Sequence, residues 1–447
     1  MRAAVVGAGP SGFYAAGELS AAGFEVDLYD ALPTPFGLVR AGVAPDHPKI
    51  KAVTRVYDKI ARRPGVRFFG GVEVGRDVTV AELAERYAAV VYAVGTPDAN
   101  ALGIPGEDGP GSHAATEFVG WYNGHPAHTA HDFPLQVERA VVIGNGNVAL
   151  DVARMLVLEP EELSATDTTD HALAALARAQ VREVVVLGRR GPLEAAFTNP
   201  ELLELGSLAR AEPVVAADDL AFDAAAAAAF AAEQADPGSA VPRRIEILRE
   251  YAALGTRGAS HRVVLRFLRT PLAVERDADG AVSGLRVAVN RRVAGTDGGA
   301  ARFEPTGAEE TIPCGLVLRA IGYRGRPLDG LPFVPARGLV ANDAGRVAPG
   351  TYVTGWVKRG PSGVIGTNKQ CANETVARVL EDREAGLLWA RADSDAIERW
   401  LRERVPAVVS WDGWNAIDLH ERAAGEPHGR PRIKLVEVEE MVRRAAS

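Results

Sequence analysis

Cysteine is nearly missing: the 447-residue chain has two, Cys314 and Cys371, far apart in sequence. That excludes a CxxC redox pair, a four-cysteine cluster site and a disulfide framework, so any redox chemistry has to come from a bound cofactor. The scarcity also suits a reducing compartment, and a cytoplasmic location is expected. No run resembles a membrane span or a signal peptide, because the strand-like start after Met1-Arg2 leads directly into a glycine motif. A basic surplus is missing as well. The formal net charge of −8 argues against general nucleic-acid binding, which needs a surface that neutralises phosphates. No metal site is expected. What is present, 47% hydrophobic and 24% charged residues, is a globular composition, and the length suggests two or three domains.

Two regions repeat one plan: an apolar run, a glycine turn, then a helical pattern. The first is Ala3-Ala4-Val5-Val6 followed by Gly7-Ala8-Gly9-Pro10-Ser11-Gly12; the second is Ala140-Val141-Val142-Ile143 followed by Gly144-Asn145-Gly146-Asn147-Val148-Ala149. Uninterrupted apolar runs of this kind are buried parallel strands, which need a helix to return the chain. Ala89–Gly95 and Gly315–Gly322 read as further buried strands ending in glycine, one downstream of each motif. The fold class expected is therefore α/β: two doubly wound Rossmann-like dinucleotide-binding domains, the second inserted into the first. Residues 1–104 and 325–447 would form the outer domain, the latter part carrying a C-terminal extension, and 105–324 the inserted one. Arg262–Arg269 and Leu285–Val293 alternate and are expected to be antiparallel strands, Ala224–Ala232 a surface helix, and Glu159–Gln180 a helical insertion. The charged stretch Arg422–Leu435 receives no role from pattern alone.

In the first motif Gly7 permits the tight turn, Gly9 lets a pyrophosphate approach the backbone, and Gly12 lets helix and strand pack closely. Asp30 ends the next strand, Val26–Asp30, where an acid binds ribose hydroxyls; this alone does not separate FAD from NAD. The second motif has Ala149 in third place, and its following strand, Val184–Gly188, ends in Arg189-Arg190 rather than an acid. Paired guanidinium groups suit a 2′-phosphate in charge and shape, so NADPH is expected over NADH.

Several long motifs coincide: Leu32–Arg40 (LPTPFGLVR), Gly42–Pro48 (GVAPDHP), Gly144–Arg154 (GNGNVALDVAR), Gly188–Leu193 (GRRGPL) and Gly355–Ile365 (GWVKRGPSGVI). Together, over nearly the whole chain, they resemble adrenodoxin-reductase-type NADPH–ferredoxin reductases, particularly actinobacterial members. The resemblance decides for FAD at the first site and NADP(H) at the second. It implies FAD contacts at Ser11, Asp30, Leu38, Val74, Trp356 and the stretch Gly363, Val364 and Ile365. It implies NADP contacts at Asn145, Gly146, Asn147, Val148, Arg189, Arg190, Glu201 and Gly363. Asp30 departs from the glutamate usual there. The activity implied is hydride transfer from NADPH to FAD, then single-electron transfer to a ferredoxin-type iron–sulfur protein. His47 would carry a proton or charge near the flavin, with Glu204 or Asp151 orienting it. Arg243, Arg244 and Arg249, with Lys358 and Arg359, are expected to form a basic docking strip for an acidic ferredoxin. Two other readings are an NADPH dehydrogenase of the glutamate-synthase small-subunit type, whose cluster cysteines this chain lacks, and a non-catalytic nucleotide-binding module.

Overall fold

A computed structural model describes residues 1–293, 295, 300–363 and 365–446. The first apolar runs become a six-stranded sheet in the order Arg346–Ala348, Thr351–Val353, Ala89–Tyr92, Arg2–Val6, Glu25–Asp30, Val66–Gly70. All its pairings are parallel except the first, at the edge. Arg2–Val6 and Ala89–Tyr92 are buried along their whole length because helices and packed segments cover both faces.

The second six-stranded sheet is parallel throughout, in the order Ser112–Ala114, Leu316–Arg319, Arg139–Ile143, Glu183–Leu187, His261–Arg266, Ala211–Val215. Its strands fall between Ala89–Tyr92 and Thr351–Val353 of the first sheet, so one doubly wound unit is inserted into the other. The outgoing and returning chains meet as a short antiparallel pair, Asp98 against Arg324 and Ala99 against Tyr323.

A three-stranded antiparallel sheet, Arg269–Arg276, Val282–Val293 and Arg302–Pro313, covers part of the second unit. Leu285–Val293 is thus antiparallel as expected. Arg262–Arg269 is not: residues 262–266 are a parallel strand of the second sheet, and the antiparallel strand begins at Arg269. Its alternation reflects one well-covered face; it carries no information about the direction of the neighbouring strand. The insertion after Glu159 holds the helices Pro160–Ser164 and Asp170–Leu176, and the alanine-rich run is the helix Ala224–Ala235, capped by Asp223 accepting the Ala226 N–H at 2.7 Å.

The charged C-terminal stretch acts as a strap across both units. Buried Glu421, on the helix Trp411–Gly425, receives Arg40 and Arg432, at 2.5 and 2.9 Å. Lys434 Nζ donates to the Asn123 carbonyl at 3.1 Å and lies 3.1 Å from Asp167 Oδ2, which Lys51 also meets at 2.7 Å on its other oxygen. Although burial opposes ionisation, the Lys434 and Lys51 ammonium groups hold the Asp167 carboxyl well below the usual carboxylate range.

Candidate functional site

The first glycine loop is shaped by what a side chain would strike. Gly7 holds φ +106°, and a methyl there would lie 2.5 Å from the Ala93 carbonyl oxygen; one on Gly12 would lie 1.8 Å from the Gly7 oxygen. Gly9 and Gly37 face each other across a slot with no intervening side chain, a methyl on Gly37 falling 3.0 Å from Gly9 Cα. The slot opens onto the helix Pro10–Ala21, whose start has no side-chain cap, so its first amides remain for an anion.

Asp30 adjoins the slot, its carboxylate accepting the Ala8 N–H at 2.8 Å and the Leu32 N–H at 2.9 Å. Burial pushes its carboxyl up to about 6. Ser11 Oγ donates to Asn368 Oδ1 at 3.0 Å, and Gly355 (φ +74°) rests against it, where a methyl would come within 2.4 Å of Oγ. Trp356 Nε1 is buried with no hydrogen-bond partner among the described residues. Leu38 is exposed at the start of the turn Leu38–Ala41, Val74 is half-buried, Gly363 has φ +79°, and Ile365 begins the helix Ile365–Glu384. Val364 lies outside the described residues. A side-chain-free slot, a buried carboxylate beside it and an indole N–H without a partner together fit a bound dinucleotide.

The second loop repeats the design. Gly144 (φ +138°) would place a methyl 2.2 Å from the Ala320 oxygen, while at Gly146 the nearest atom to such a methyl is Ala196 Cβ, 4.0 Å away. Asn145 Nδ2 is buried without a partner among the described residues, Asn147 Oδ1 accepts the Thr198 N–H at 2.8 Å, and Val148 packs on the core. Arg189 and Arg190 are exposed, and among the described residues no carboxylate pairs with either. Their backbones are nonetheless fixed, the Arg189 carbonyl accepting from Asn290 Nδ2 and the Arg190 carbonyl from the Leu268 N–H, both at 3.1 Å. Two unpaired cations on a held backbone fit a phosphate beyond the pyrophosphate.

Between the loops lies a cluster centred on Arg154, which is 1% exposed. Its Nε and Nη2 grip Asp46 at 3.0 Å each, and its Nη1 lies 3.1 Å from Asp151 and Glu201 and 3.2 Å from Glu204. His47 Nε2 is 2.8 Å from Arg154 Nη2 and 2.9 Å from Glu204 Oε2. Of the two acids expected beside His47, Glu204 lies within hydrogen-bond distance of it, whereas Asp151 meets Arg154. Glu201 likewise turns its carboxylate to Arg154. Burial pushes the Asp151 carboxyl up to about 6 against the pull of Arg154, and the surrounding acids keep Arg154 charged despite its burial. Sequence reasoning missed Arg154, Asp46 and Tyr323. The signal for Arg154 was a lone cation in the otherwise apolar helix Asn147–Val157, three residues after an acid. Tyr323, on the crossing strand, sets its ring 5.3 Å from that of Trp356.

The sign of the Asp151 shift predicts a pH effect. A carboxyl raised in the fold stabilises fully below its unfolded pKa and loses that contribution as pH climbs through the folded value. Asp151→Asn therefore gains stability over the parent above about pH 6, by on the order of 2 kcal/mol, and the gain vanishes near pH 4. Urea midpoints across this range check it; a pH-independent difference would contradict the assignment.

The expected docking strip requires correction. Arg244 and Lys358 are buried, Arg244 donating to the Leu193 carbonyl at 3.2 Å and Lys358 meeting Glu374 at 2.5 Å. Arg243 is exposed but paired with Glu246 and Glu250, Arg249 lies over Phe222 and Phe230, and Arg359 is held by Asn368. The helix Val241–Leu254 turns successive residues to opposite environments, so arginines adjacent in sequence do not form one patch.

Two dinucleotide cradles joined by a cluster around the buried Arg154 fit a pyridine-nucleotide-dependent flavoprotein oxidoreductase. Residues 1–190 match the family described as pyridine nucleotide-disulphide oxidoreductase, although both cysteines here are buried free thiols. The chain is 45% identical to NADPH-ferredoxin reductase FprA of Mycobacterium leprae, over 98% of this chain and 97% of that one. It is 44% identical to the mitochondrial NADPH:adrenodoxin oxidoreductase of Homo sapiens, over 98% and 91%. The solved structure of Mycobacterium tuberculosis FprA in complex with NADPH superposes with a TM-score of 0.94 at 44% identity, covering 100% of this chain and 99% of that one. The chain belongs to the NADPH–ferredoxin reductase family of the adrenodoxin-reductase type.

Proposed function

We propose that this chain is an FAD-dependent NADPH–ferredoxin oxidoreductase in which residues 1–104 and 325–447 hold FAD and residues 105–324 hold NADP(H). The observation that carries the reading is the His47–Arg154–Glu204 cluster, which joins the element after the first cradle to the helix that opens the second. When bound, FAD supplies the redox chemistry, accepting hydride from the nicotinamide at N5 and releasing electrons singly, as an iron–sulfur acceptor requires.

The chain's own residues bind, orient and move a proton. Gly7, Gly9 and Gly12 receive the FAD pyrophosphate, Asp30 its ribose, and Ser11, Leu38, Val74, Trp356 and the stretch Gly363–Ile365 its remainder. Gly144 to Val148 receive the NADP pyrophosphate, and Arg189 and Arg190 the 2′-phosphate. Arg154 holds Glu201, Glu204 and Asp46 in place, between the two glycine loops that would hold the nucleotides.

The atom that would hold or release the proton is His47 Nε2. Arginine can only donate and carboxylate can only accept, so the two contacts of Nε2 exclude each other. Without a proton Nε2 accepts from Arg154; with one it donates to Glu204. The cluster thus offers two hydrogen-bonded arrangements, set by whether Nε2 carries a proton.

The acceptor is a ferredoxin-type iron–sulfur protein, and the face we assign to it is the exposed side of the helix Val241–Leu254, with Arg243 and Arg249. Among the described residues no helix is long and apolar enough to cross a membrane, and the two free thiols suit a cytoplasmic enzyme. Charge reversal at Arg243 and Arg249 is expected to slow reduction of a ferredoxin about 10-fold at low salt and to leave ferricyanide reduction unchanged. Equal slowing with both acceptors would remove this face from the account.

A further inference from the structure

Of the chain's nine histidines, four stand between positions 113 and 131: His113, His125, His128 and His131. None belongs to the nucleotide cradles or to the Arg154 cluster. We propose that His113, Glu117 and His131 form a binding site for a divalent transition ion of zinc's class.

The three residues each present one ligand atom, and these atoms all lie within 4.8 Å of one another. His113 Nδ1 is 3.7 Å from Glu117 Oε2. A tetrahedral zinc with bonds of about 2.0–2.1 Å holds its ligand atoms roughly 3.3 Å apart, so this pair needs only a small closure. The carboxylate is already fixed: Glu117 lies in the first turn of the helix Ala115–Asn123, and its Oε2 accepts the Ala114 N–H at 3.0 Å.

The other ligands are held by packing. The His131 ring stacks on His128 at 5.3 Å, with Nε2 3.2 Å from His128 Nδ1, the neighbouring polar contact that orients a metal-binding imidazole. His128 in turn lies against Gly120, where a methyl would come within 2.4 Å of its Cδ2. Gly120 is three residues after Glu117 and so shares its helix face. Phe133 backs both ligand rings, 4.7 Å from His113 and 5.9 Å from His131.

His113 turns Nδ1 to Glu117, and among the described residues its far ring nitrogen, Nε2, is buried with no hydrogen-bond partner. Among the described residues no lysine or arginine pairs with Glu117. The His47–Glu201–Glu204 group, which is equally compact, differs on this point, because Arg154 already stands among its carboxylates as the cation. Two imidazoles and one carboxylate select a borderline ion over magnesium or calcium, which take oxygen ligands. Three protein ligands leave a fourth position for water. An ion there would tie the edge strand Ser112–Ala114 and its following helix to the loop that leads into the strand Arg139–Ile143.

The test uses the full-length, FAD-loaded chain, stripped of metal by chelator and dialysed against zinc chloride. One equivalent of zinc is expected, with a thermal midpoint that rises by on the order of 5 °C at about 100 times the dissociation constant, while magnesium gives no rise. His131→Gln and Glu117→Gln are each expected to weaken zinc binding at least ~10-fold with the flavin spectrum unaltered. The proposal is overturned if no zinc is retained, if both variants keep the parent affinity, or if His47→Gln rather than these removes the bound ion.

Discussion

Replacing Arg189 and Arg190 together with alanine raises the KM for NADPH by at least ~100-fold and changes the kinetics with NADH little. The two guanidinium groups are exposed, their backbones are pinned by Asn290 and Leu268, and among the described residues no carboxylate competes for them. A hydrogen bond to a charged group contributes about 1.5–3 kcal/mol, so losing two corresponds to two orders of magnitude or more even at the lower figure. Because the site faces solvent, the effect shrinks as salt is added. NADH has no 2′-phosphate and serves as the internal control. If kcat/KM fell equally for both nucleotides, the arginines would be shaping the loop rather than reading the phosphate.

Arg154→Met lowers stability at neutral pH by about 3–5 kcal/mol, the usual cost of removing one partner from a buried ionic group. Asp46, Asp151, Glu201 and Glu204 all depend on this one cation, and Asp151 already resists ionisation through burial. The deficit narrows as pH falls and the acids take up protons, which separates it from a simple packing defect. Arg154→Lys keeps the charge but loses the two-bond grip on Asp46, and so falls between the two. The variant should also release the constraint at His47 Nε2, leaving it to Glu204 at 2.9 Å and Glu201 at 3.8 Å and shifting the pH profile of hydride transfer. A loss below about 1 kcal/mol, with an unshifted profile, would show that Arg154 does not organise the cluster.

The parts of this molecule legible in its sequence are those set by local physics. A buried parallel strand has to be apolar throughout and a pyrophosphate turn has to lack side chains, so Arg2–Val6 with Gly7 and Arg139–Ile143 with Gly144 announce themselves, and the insertion follows from their spacing. The Arg189-Arg190 pair is legible for the same reason, since it ends the strand where an acid is otherwise needed. Arg154 was hidden because its partner Asp46 is 108 positions away, and no periodicity carries such a pairing. The basic strip failed because charge in a sequence does not reveal which face of a helix bears it: Arg244 turns inward while Arg243 turns outward. The histidines from 113 to 131 match no familiar ligand spacing, and only the return of the loop over Gly120 brings them together.

The central claim is that two cradles hold a flavin and an NADP nucleotide in one reacting pair. It is tested most directly by anaerobic titration of the purified, coloured protein with NADPH, followed by an oxidised ferredoxin. The account predicts that the flavin absorbance bleaches with one equivalent of NADPH, far less readily with NADH, and returns as about two equivalents of ferredoxin are reduced. Folded protein that binds no flavin, or flavin that NADPH leaves unbleached, would contradict it.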